Sequence, residues 1–367
     1  MNMLRKTILL LSSLLVFEQS SQAAPPAGYV IEWGRRDTFT GTAVPVQVVL
    51  SNAVSVSAGR LHCLALKDDG TVVRWEWNSR GEASFANTLV TTDDGSGGGK
   101  PEATYAKKII TNGVVKIDGR TLGDVVSVAA GDGFSLALKK DGTLVTWGDN
   151  YVPAGLTNIT TIAAASFTSL ALKGDGTVVE WESKKWLPQY GQLLEVPIGS
   201  NVVAVAIGES PQGTRNLALK RDGTMAHWGE ETYHKDATPP SGLRNVVAVA
   251  AGYNHSLALT RDGTVTGWGF NNAGQATGIP NTNFISVSAD QVTIGGQLLN
   301  NVASIAAGRG YSMALKRDGT IVTWGCMLND HYPPTVPAGL SNVIAIAAGD
   351  NFCLAITTNS AVANRFR

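Results

Sequence analysis

The stretch 246–269, VVAVAAGYNHSLALTRDGTVTGWG, holds one full copy of the unit from which this chain is built. Its last part is the word DGTxxxW, which recurs at 69–75, 141–147, 175–181, 222–228, 262–268 and 318–324, each time after a small-residue tract of the type VAAG. Six of the nine tryptophans therefore stand in one column of a repeat. Such repetition decides the fold before any single residue speaks about function.

Within the unit, Asp-Gly lies between two short apolar runs, LALK or its equivalent upstream and a Val-rich triplet downstream. An Asp-Gly step in that setting is a strong hairpin signal. The tract ahead of it, at 125–131, 202–208, 246–252, 302–308 and 343–349, is too short for a helix and β-branched at alternate places, which predicts a strand. Its Ala and Gly end suits an innermost strand, where several units crowd around an axis. Each repeat thus reads as strand, loop, strand, DG turn, strand ending in Trp, and a variable return. Small antiparallel sheets repeated at roughly 40 to 50 residues are the signature of propeller blades.

The small-residue column, Gly59, Gly131, Ala165, Gly208, Gly252, Gly308 and Gly349, counts seven units. Its distance to the Asp of DGT is constant in five units and longer by four residues between Gly208 and Asp222. In the seventh unit the same offset lands on Asn359, Ser360 and Ala361, so the last copy lacks its third strand. The missing strand is expected at the other end, because 28–34, GYVIEWG, aligns with 176–182, GTVVEWE, and puts Trp33 in the tryptophan column. The expected architecture is an all-β, seven-bladed β-propeller over 28–357 with its last blade closed by the N-terminal strand. Such closure removes two exposed sheet edges. Insertions are expected at about 78–123, 183–200 and 270–300, with a possible small hairpin at 109–122, and a C-terminal tail at 358–367.

Composition narrows the function classes. Arg5 and Lys6, an apolar run over 7–17, and Ser21-Gln22-Ala23 ahead of two prolines read as a secretory signal over 1–23, its apolar part too short to span a bilayer. No cysteine follows that run, which disfavours a lipid anchor. The expected mature chain is secreted, periplasmic or at the cell surface, with no membrane insertion. It carries 27 basic and 28 acidic residues, and so lacks the electrostatic footprint of a nucleic-acid binder. Three cysteines make no disulfide framework. Cys63 and Cys353 stand where other units place Ser135, Ser169, Ser256 and Ser312, and read as small buried side chains. A bridge between them is conceivable in an oxidising compartment, although equivalent positions in adjacent blades sit far apart for its geometry. Cys326 falls in a loop.

No catalytic constellation emerges. GSGGGK at 95–100 resembles a phosphate-binding loop only superficially, because Asp94 stands where the first Gly is required, Pro101 follows Lys100, and no helix pattern follows. The histidines, His62, His227, His234, His255 and His331, lack metal-ligand spacing. His62 and His255 share a column with Phe134, Tyr311 and Phe352, which points to packing or a local hydrogen bond. The DGT aspartates each have a turn role. No catalytic residue, metal or cofactor is expected.

What differs between the units is the loop after the small-residue column, and seven such loops gather on one face of a ring. Its variable members, Arg60, Leu61, Asp132, Phe167, Arg215, Tyr253, Asn254, Arg309, Asp350 and Asn351, form a candidate partner-binding rim. Aromatic and Arg anchors on a rigid scaffold suit protein recognition. Backbone turn requirements are the competing explanation for the Gly, Asn and Asp members.

The segment 246–269, continuing to Asn271, Asn272, Gly274 and Gln275, resembles the repeats of the regulator of chromosome condensation family, and the likeness covers nearly all of 28–357. It is nearest to the exported bacterial branch, with LALKxDGTVxxWG cores and VPAGL linkers at 152–156 and 336–340. Glu76 and Glu182 replace Gly after Trp, and most linkers lack the GQ element. The resemblance implies a seven-bladed propeller with a split closing blade. It also implies binding roles, since the eukaryotic namesake is a nucleotide-exchange factor for a small GTPase on chromatin and an exported relative inhibits a β-lactamase through one face of its ring. Fold alone transfers neither activity. The expected function is a non-catalytic exported scaffold, monomeric, that recognises a protein partner through rim loops. The alternatives are an extracellular enzyme acting on a polymer, which calls for carboxyls of raised pKa near the axis, and an inhibitor of a secreted enzyme such as a β-lactamase.

Overall fold

The computed structural model describes residues 26–34, 47–60, 62–77, 83–84, 113–117, 119–148, 152–165, 167–182, 193–210, 213–229, 238–280, 287–326 and 334–365. The expected signal at 1–23 and most of the insertions at 78–123 and 183–200 lie outside them. Antiparallel strands joined by tight turns dominate, and one short helix ends the described chain.

Three-stranded units recur in the expected order. The first blade takes its inner strand from the second half of Gln47–Ala58, followed by His62–Lys67 and Val72–Trp77. The second to sixth blades begin with Val125–Ala130, Ile159–Ala165, Val202–Ser210, Val246–Ala251 and Val302–Ala307. In each, the inner strand pairs with a second strand, which turns at Asp-Gly into a third that carries the column Trp. The seventh pairs Val343–Ala348 with Cys353–Thr357, and its third strand is Gly28–Trp33, with Tyr29 opposite Thr357 and Trp33 opposite Cys353. The N-terminal strand therefore closes the last blade. Its far edge pairs with the start of Gln47–Ala58, Ile31 opposite Val48, so one long strand is the rim of the closing blade and then the inner strand of the first. The seven inner strands neighbour one another in cyclic order, the last beside the first.

Local chemistry explains the repeat. In each DGT turn the Asp Oδ1 accepts the backbone N–H of the Thr two residues on, at 2.9 to 3.1 Å. The intervening Gly takes φ between 78° and 87°, a region open to Gly at no steric cost. A second column was not among the expectations. Asn52, Asp124, Asn158, Asn201, Asn245, Asn301 and Asn342 precede the inner strands with φ between 52° and 75°, the left-handed region that Asn and Asp tolerate best. Their carbonyls accept N–H groups from Asp68, Lys140, Gly174, Arg221, Arg261, Arg317 and Thr358, tying each inner strand to the turn of its own blade. Val125, Val246, Val302 and Val343 donate to Gly70, Gly223, Gly263 and Gly319 of the blade before. The turns and these left-handed residues are thus hydrogen-bonded on one face within every blade and across four joints between blades.

Apolar cores lie between adjacent blades. Leu170, Leu172 and Val178 of the third blade, for example, pack with Val202, Val205 and Ala218 of the fourth. Of the column tryptophans, Trp33, Trp75, Trp147, Trp181, Trp268 and Trp324 are buried. The expected hairpin of the first insertion is present as Lys116–Ile117 with Arg120–Thr121, and 292–299 repeats it as Thr293–Ile294 with Gln297–Leu298. Val115 and Val292 each donate to the carbonyl that opens the preceding third strand, Val72 and Val265. Within the C-terminal tail Ser360–Arg365 forms a helix, capped by Asn359 Oδ1 on the N–H groups of Ala361 and Val362, with Val362 and Ala363 buried beside Ile31 and Leu340. Among the described residues no helix is long and apolar enough to cross a membrane.

Candidate partner-binding face

The loops after the inner strands rest on a floor of inter-blade clasps. The residue that starts the second strand reaches into the next blade: His62 Nε2 meets Ser135 Oγ at 2.8 Å, and His255 Nε2 meets Ser312 Oγ at 2.7 Å. Tyr311 donates its hydroxyl to the carbonyls of Phe352 and Gly349. Four glycines of the small-residue column lie under these or the equivalent rings, and at Gly59 and Gly208 a Cβ would meet the carbonyl of the next blade's column residue, Gly131 and Gly252. A Cβ on Gly252 would meet His255 Cε1 at 2.6 Å, and Cβ atoms on Gly131, Gly308 and Gly349 would meet the rings of Phe134, Tyr311 and Phe352. Burial, with Arg74 and Arg215 respectively as second cause, pushes the His62 and His255 imidazoles down to about 3. Both are neutral packing and hydrogen-bonding groups, as their shared column with Phe and Tyr suggests.

The neighbouring columns are structural as well. Trp75 Nε1 donates to Glu32 at 3.0 Å and Trp228 Nε1 to Glu180 at 2.6 Å, so a Trp of one blade finds the residue preceding the Trp of the blade before. Glu32 is only 1% exposed, a buried carboxylate at the closing blade that the sequence did not single out. In the sixth blade Trp324 Nε1 and Ser312 Oγ both donate to the Gln275 carbonyl. Asn271 Oδ1 fixes that loop by accepting the N–H groups of Ala276 and Thr277. Cys63, Cys326 and Cys353 form no disulfide; Cys63 and Cys353 are buried and Cys326 is half-buried. Among the described residues no group of three or more His, Cys, Asp or Glu side chains is placed to hold a metal.

Above this floor the structure brings five rim candidates together. Arg60 Nη1 bonds Asp132 Oδ2 at 3.1 Å, and Arg60 Nε lies 3.8 Å from Asp350 Oδ2. On the far side Arg309 Nη1 lies 3.6 Å from the same oxygen, while its guanidinium sits 4.5 Å from the centre of the Tyr253 ring. The chain Asp132, Arg60, Asp350, Arg309, Tyr253 crosses the second, first, seventh, sixth and fifth blades, spanning the point of ring closure. It borders the mouth of an axial cavity of about 150 Å³ lined by all seven inner strands, mostly by Ala, Gly and Ser with Val128, Ile162, Val205 and Ile207. Burial raises the Asp350 carboxyl above its usual range, with Arg309 and Arg60 working against that rise.

The other candidates divide. Phe167 is half-buried in the loop of the third blade and Asn351 half-buried beside Asp350. The Asn254 carbonyl accepts from Arg215 Nη1 and from the Phe270 N–H. Arg215 is a correction. The four extra residues of the fourth blade lengthen its first hairpin, Val202–Ser210 with Gly213–Lys220, and Arg215 is buried inside that pair opposite Gly208 and Gly229. It fills the clasp position that His62, His255 and Tyr311 hold elsewhere. Leu61 lies outside the described residues.

A family model for the regulator of chromosome condensation (RCC1) repeat matches residues 125–152 and 246–275. Comparison with curated proteins returned no match. Among solved structures the chain is similar to yeast RCC1 (Prp20) in its complex with Kap60, with a TM-score of 0.64 and 18% identity over 100% of this chain and 96% of that one. It is also similar to human WBSCR16, with a TM-score of 0.63 and 16% identity over 91% of this chain and 100% of that one. A third likeness is to the CRINKLY WD40 ectodomain of the Arabidopsis thaliana receptor kinase ACR4, at 0.51 and 17% over 84% and 92%. At these identities the structural likeness is one of fold, and it meets the repeat match on the same architecture. The chain is a β-propeller whose residues 125–152 and 246–275 match the regulator of chromosome condensation repeat.

Proposed function

We propose that this propeller is a non-catalytic scaffold, acting outside the cytoplasm after loss of residues 1–23, that binds a protein partner through the face where the loops after the inner strands gather. The observation that carries the reading is the convergence of Arg60, Asp132, Tyr253, Arg309 and Asp350 at one mouth. Arg and Tyr on a rigid support are the residue types that dominate protein-binding hot spots. The opposite face offers a hoop of turns whose aspartates are already occupied by their own threonines. Two solved neighbours support a binding role by analogy, since yeast Prp20 is seen bound to Kap60 and the Saccharomyces cerevisiae protein is described with its binding to Gsp1p and histones.

The polymer-cleaving alternative calls for a pair of carboxyls free to divide acid and base duties. At the mouth Asp132 is instead hydrogen-bonded by Arg60 at 3.1 Å, and Asp350 lies between Arg60 and Arg309 at 3.8 and 3.6 Å. The test is capture of a partner from the secreted fraction of the source organism by the tagged propeller. The double substitution Tyr253→Ala with Phe167→Ala should abolish capture while leaving the melting temperature in place. Capture that survives the double substitution, or recovery of no specific partner by the wild type, defeats the proposal.

A further inference from the structure

Behind the mouth lies the axial cavity of about 150 Å³, and all seven inner strands line it. Each inner strand pairs along one edge with the second strand of its own blade. Its backbone groups alternate, so that every second residue turns its N–H away from that pairing. The register identifies which. Gly59, Gly131, Gly252, Gly308 and Gly349 donate back into their own blades, to the carbonyls of His62, Phe134, His255, Tyr311 and Phe352. One residue earlier, Ala58, Ala130, Ala251, Ala307 and Ala348 therefore direct their N–H groups out of their blades, and all five residues line the cavity. Of these, Ala130 N–H donates to Ser57 Oγ of the blade before, at 3.1 Å. In the blades preceding Ala251, Ala307, Ala348 and Ala58 the position of Ser57 is held by Ala206, Ala250, Ala306 and Ala347, which offer only a methyl group. The wall carries a further polar group, because Ser127 is 1% exposed, lines the same cavity, and has an Oγ with no hydrogen-bond partner among the described residues.

We propose that the axial cavity is a built hydration site: ordered water accepts from the N–H groups of Ala58, Ala251, Ala307 and Ala348 and bonds Ser127, and Ser57 is the position where a hydroxyl of the chain stands in for one such water. Buried N–H and hydroxyl groups in folded proteins are paired with protein or with ordered water, and a cavity whose wall carries several of them fills, whereas a wholly apolar one stays dry. At the ~30 Å³ that a water takes in the liquid, the volume has room for about five. The inner strands, joined to one another by few direct hydrogen bonds, thereby gain a shared hydrogen-bonded axis. This inference stands apart from the partner-binding reading and holds whichever face a partner uses.

Oxygen-17 relaxation dispersion of water counts the long-lived internal waters of the full chain, and two substitutions change that count in opposite directions. Ser57→Ala removes the hydroxyl that serves Ala130, so a further water should enter and raise the count by about one. Because that water takes over the lost hydrogen bond, the melting temperature should stay within about 2 °C of wild type. Ala250→Ser sets a hydroxyl opposite Ala307 N–H as Ser57 stands opposite Ala130, and should lower the count by about one. Melting curves identify the variants that fold, and Ser57→Ala decides the matter alone if Ala250→Ser does not. Xenon under pressure gives an independent reading, since a dry cavity of this size binds it and a hydrated one does not. The methyl resonances of Ala250 and Ala306 should therefore be unmoved by xenon. Xenon-induced shifts at those methyls, a count that either folded variant leaves unchanged, or a Ser57→Ala chain that melts well below wild type with no water gained each overturns the proposal.

Discussion

Acid should loosen the ring at two defined joints. His62 and His255 are fully buried, each bonded through Nε2 to a serine of the next blade, and both imidazoles are pushed down to about 3 from an ordinary 6.5. The unfolded chain therefore takes up these protons first as the pH falls. Their stabilisation is complete above about pH 6.5 and is lost progressively toward about pH 3. Linkage gives about 1.4 kcal/mol per histidine per pH unit inside that window, or about 2 kcal/mol each and about 4 kcal/mol together by about pH 5. The aspartates of the DGT turns, lowered chiefly by hydrogen bonds from nearby threonines, lose their contribution only below about pH 4, so they do not enter the interval from about pH 7 to about pH 5. Urea unfolding at about pH 7 and about pH 5 reads the difference. The double variant His62→Phe with His255→Phe, patterned on Phe134 and Phe352 in the same column, should show little change across the same interval. A wild-type unfolding free energy that stays flat between the two pH values, or a double variant that keeps the wild-type slope, refutes the reasoning.

Three further outcomes are expected. Gly308→Ala drives a methyl group into the Tyr311 ring and to 2.7 Å from the Gly349 carbonyl, and should cost about 1–3 kcal/mol, seen as a lower calorimetric melting temperature. Trp75→Phe takes the Nε1 donor from buried Glu32 and should cost about 1–3 kcal/mol in urea unfolding. Part of that loss should return when Glu32→Gln puts a neutral amide of the same shape in place of the carboxyl that has lost this donor. Asn245→Ala forces a residue with a Cβ and no local hydrogen-bonding side chain to hold φ 58° and should cost about 1 kcal/mol, whereas Asn245→Gly should stay within a few tenths of wild type.

The propeller was legible because its signals repeat. One DG turn is ambiguous alone, but six in register with a Trp column and an Ala-Gly tract leave few other architectures. GYVIEWG could be placed in the closing blade for the same reason, since it carries the column Trp with β-branched residues ahead of it. The left-handed Asn column was equally visible, as an Asn or Asp before every inner tract. Asn at a strand entrance resembles ordinary loop composition, and only its φ distinguishes it. Arg215 was assigned to the rim because the extra residues of its blade were read as loop, and pairing extended the hairpin instead. The helix Ser360–Arg365 is too short to show helical periodicity, and its only sequence signal is Asn359 as a cap. Which rim residues touch depends on distances around the axis, and no spacing within one repeat encodes those. Sequence supplied the candidates; ring closure brought Arg60, Asp132, Tyr253, Arg309 and Asp350 to one mouth.

The division of labour between the two faces follows from that geometry. On one face a left-handed Asn or Asp bonds to the turn of its own blade in every unit, and repetition leaves little that is individual. On the other, rings packed on glycines support loops that differ from blade to blade. Hydrogen exchange of the propeller with and without its captured partner tests this claim most directly. The account predicts slowed exchange in the loops after the inner strands, centred on Arg60, Tyr253, Arg309 and Asp350, with the DG turns unchanged. Protection confined to the DG turns, or spread evenly over both faces, would contradict it.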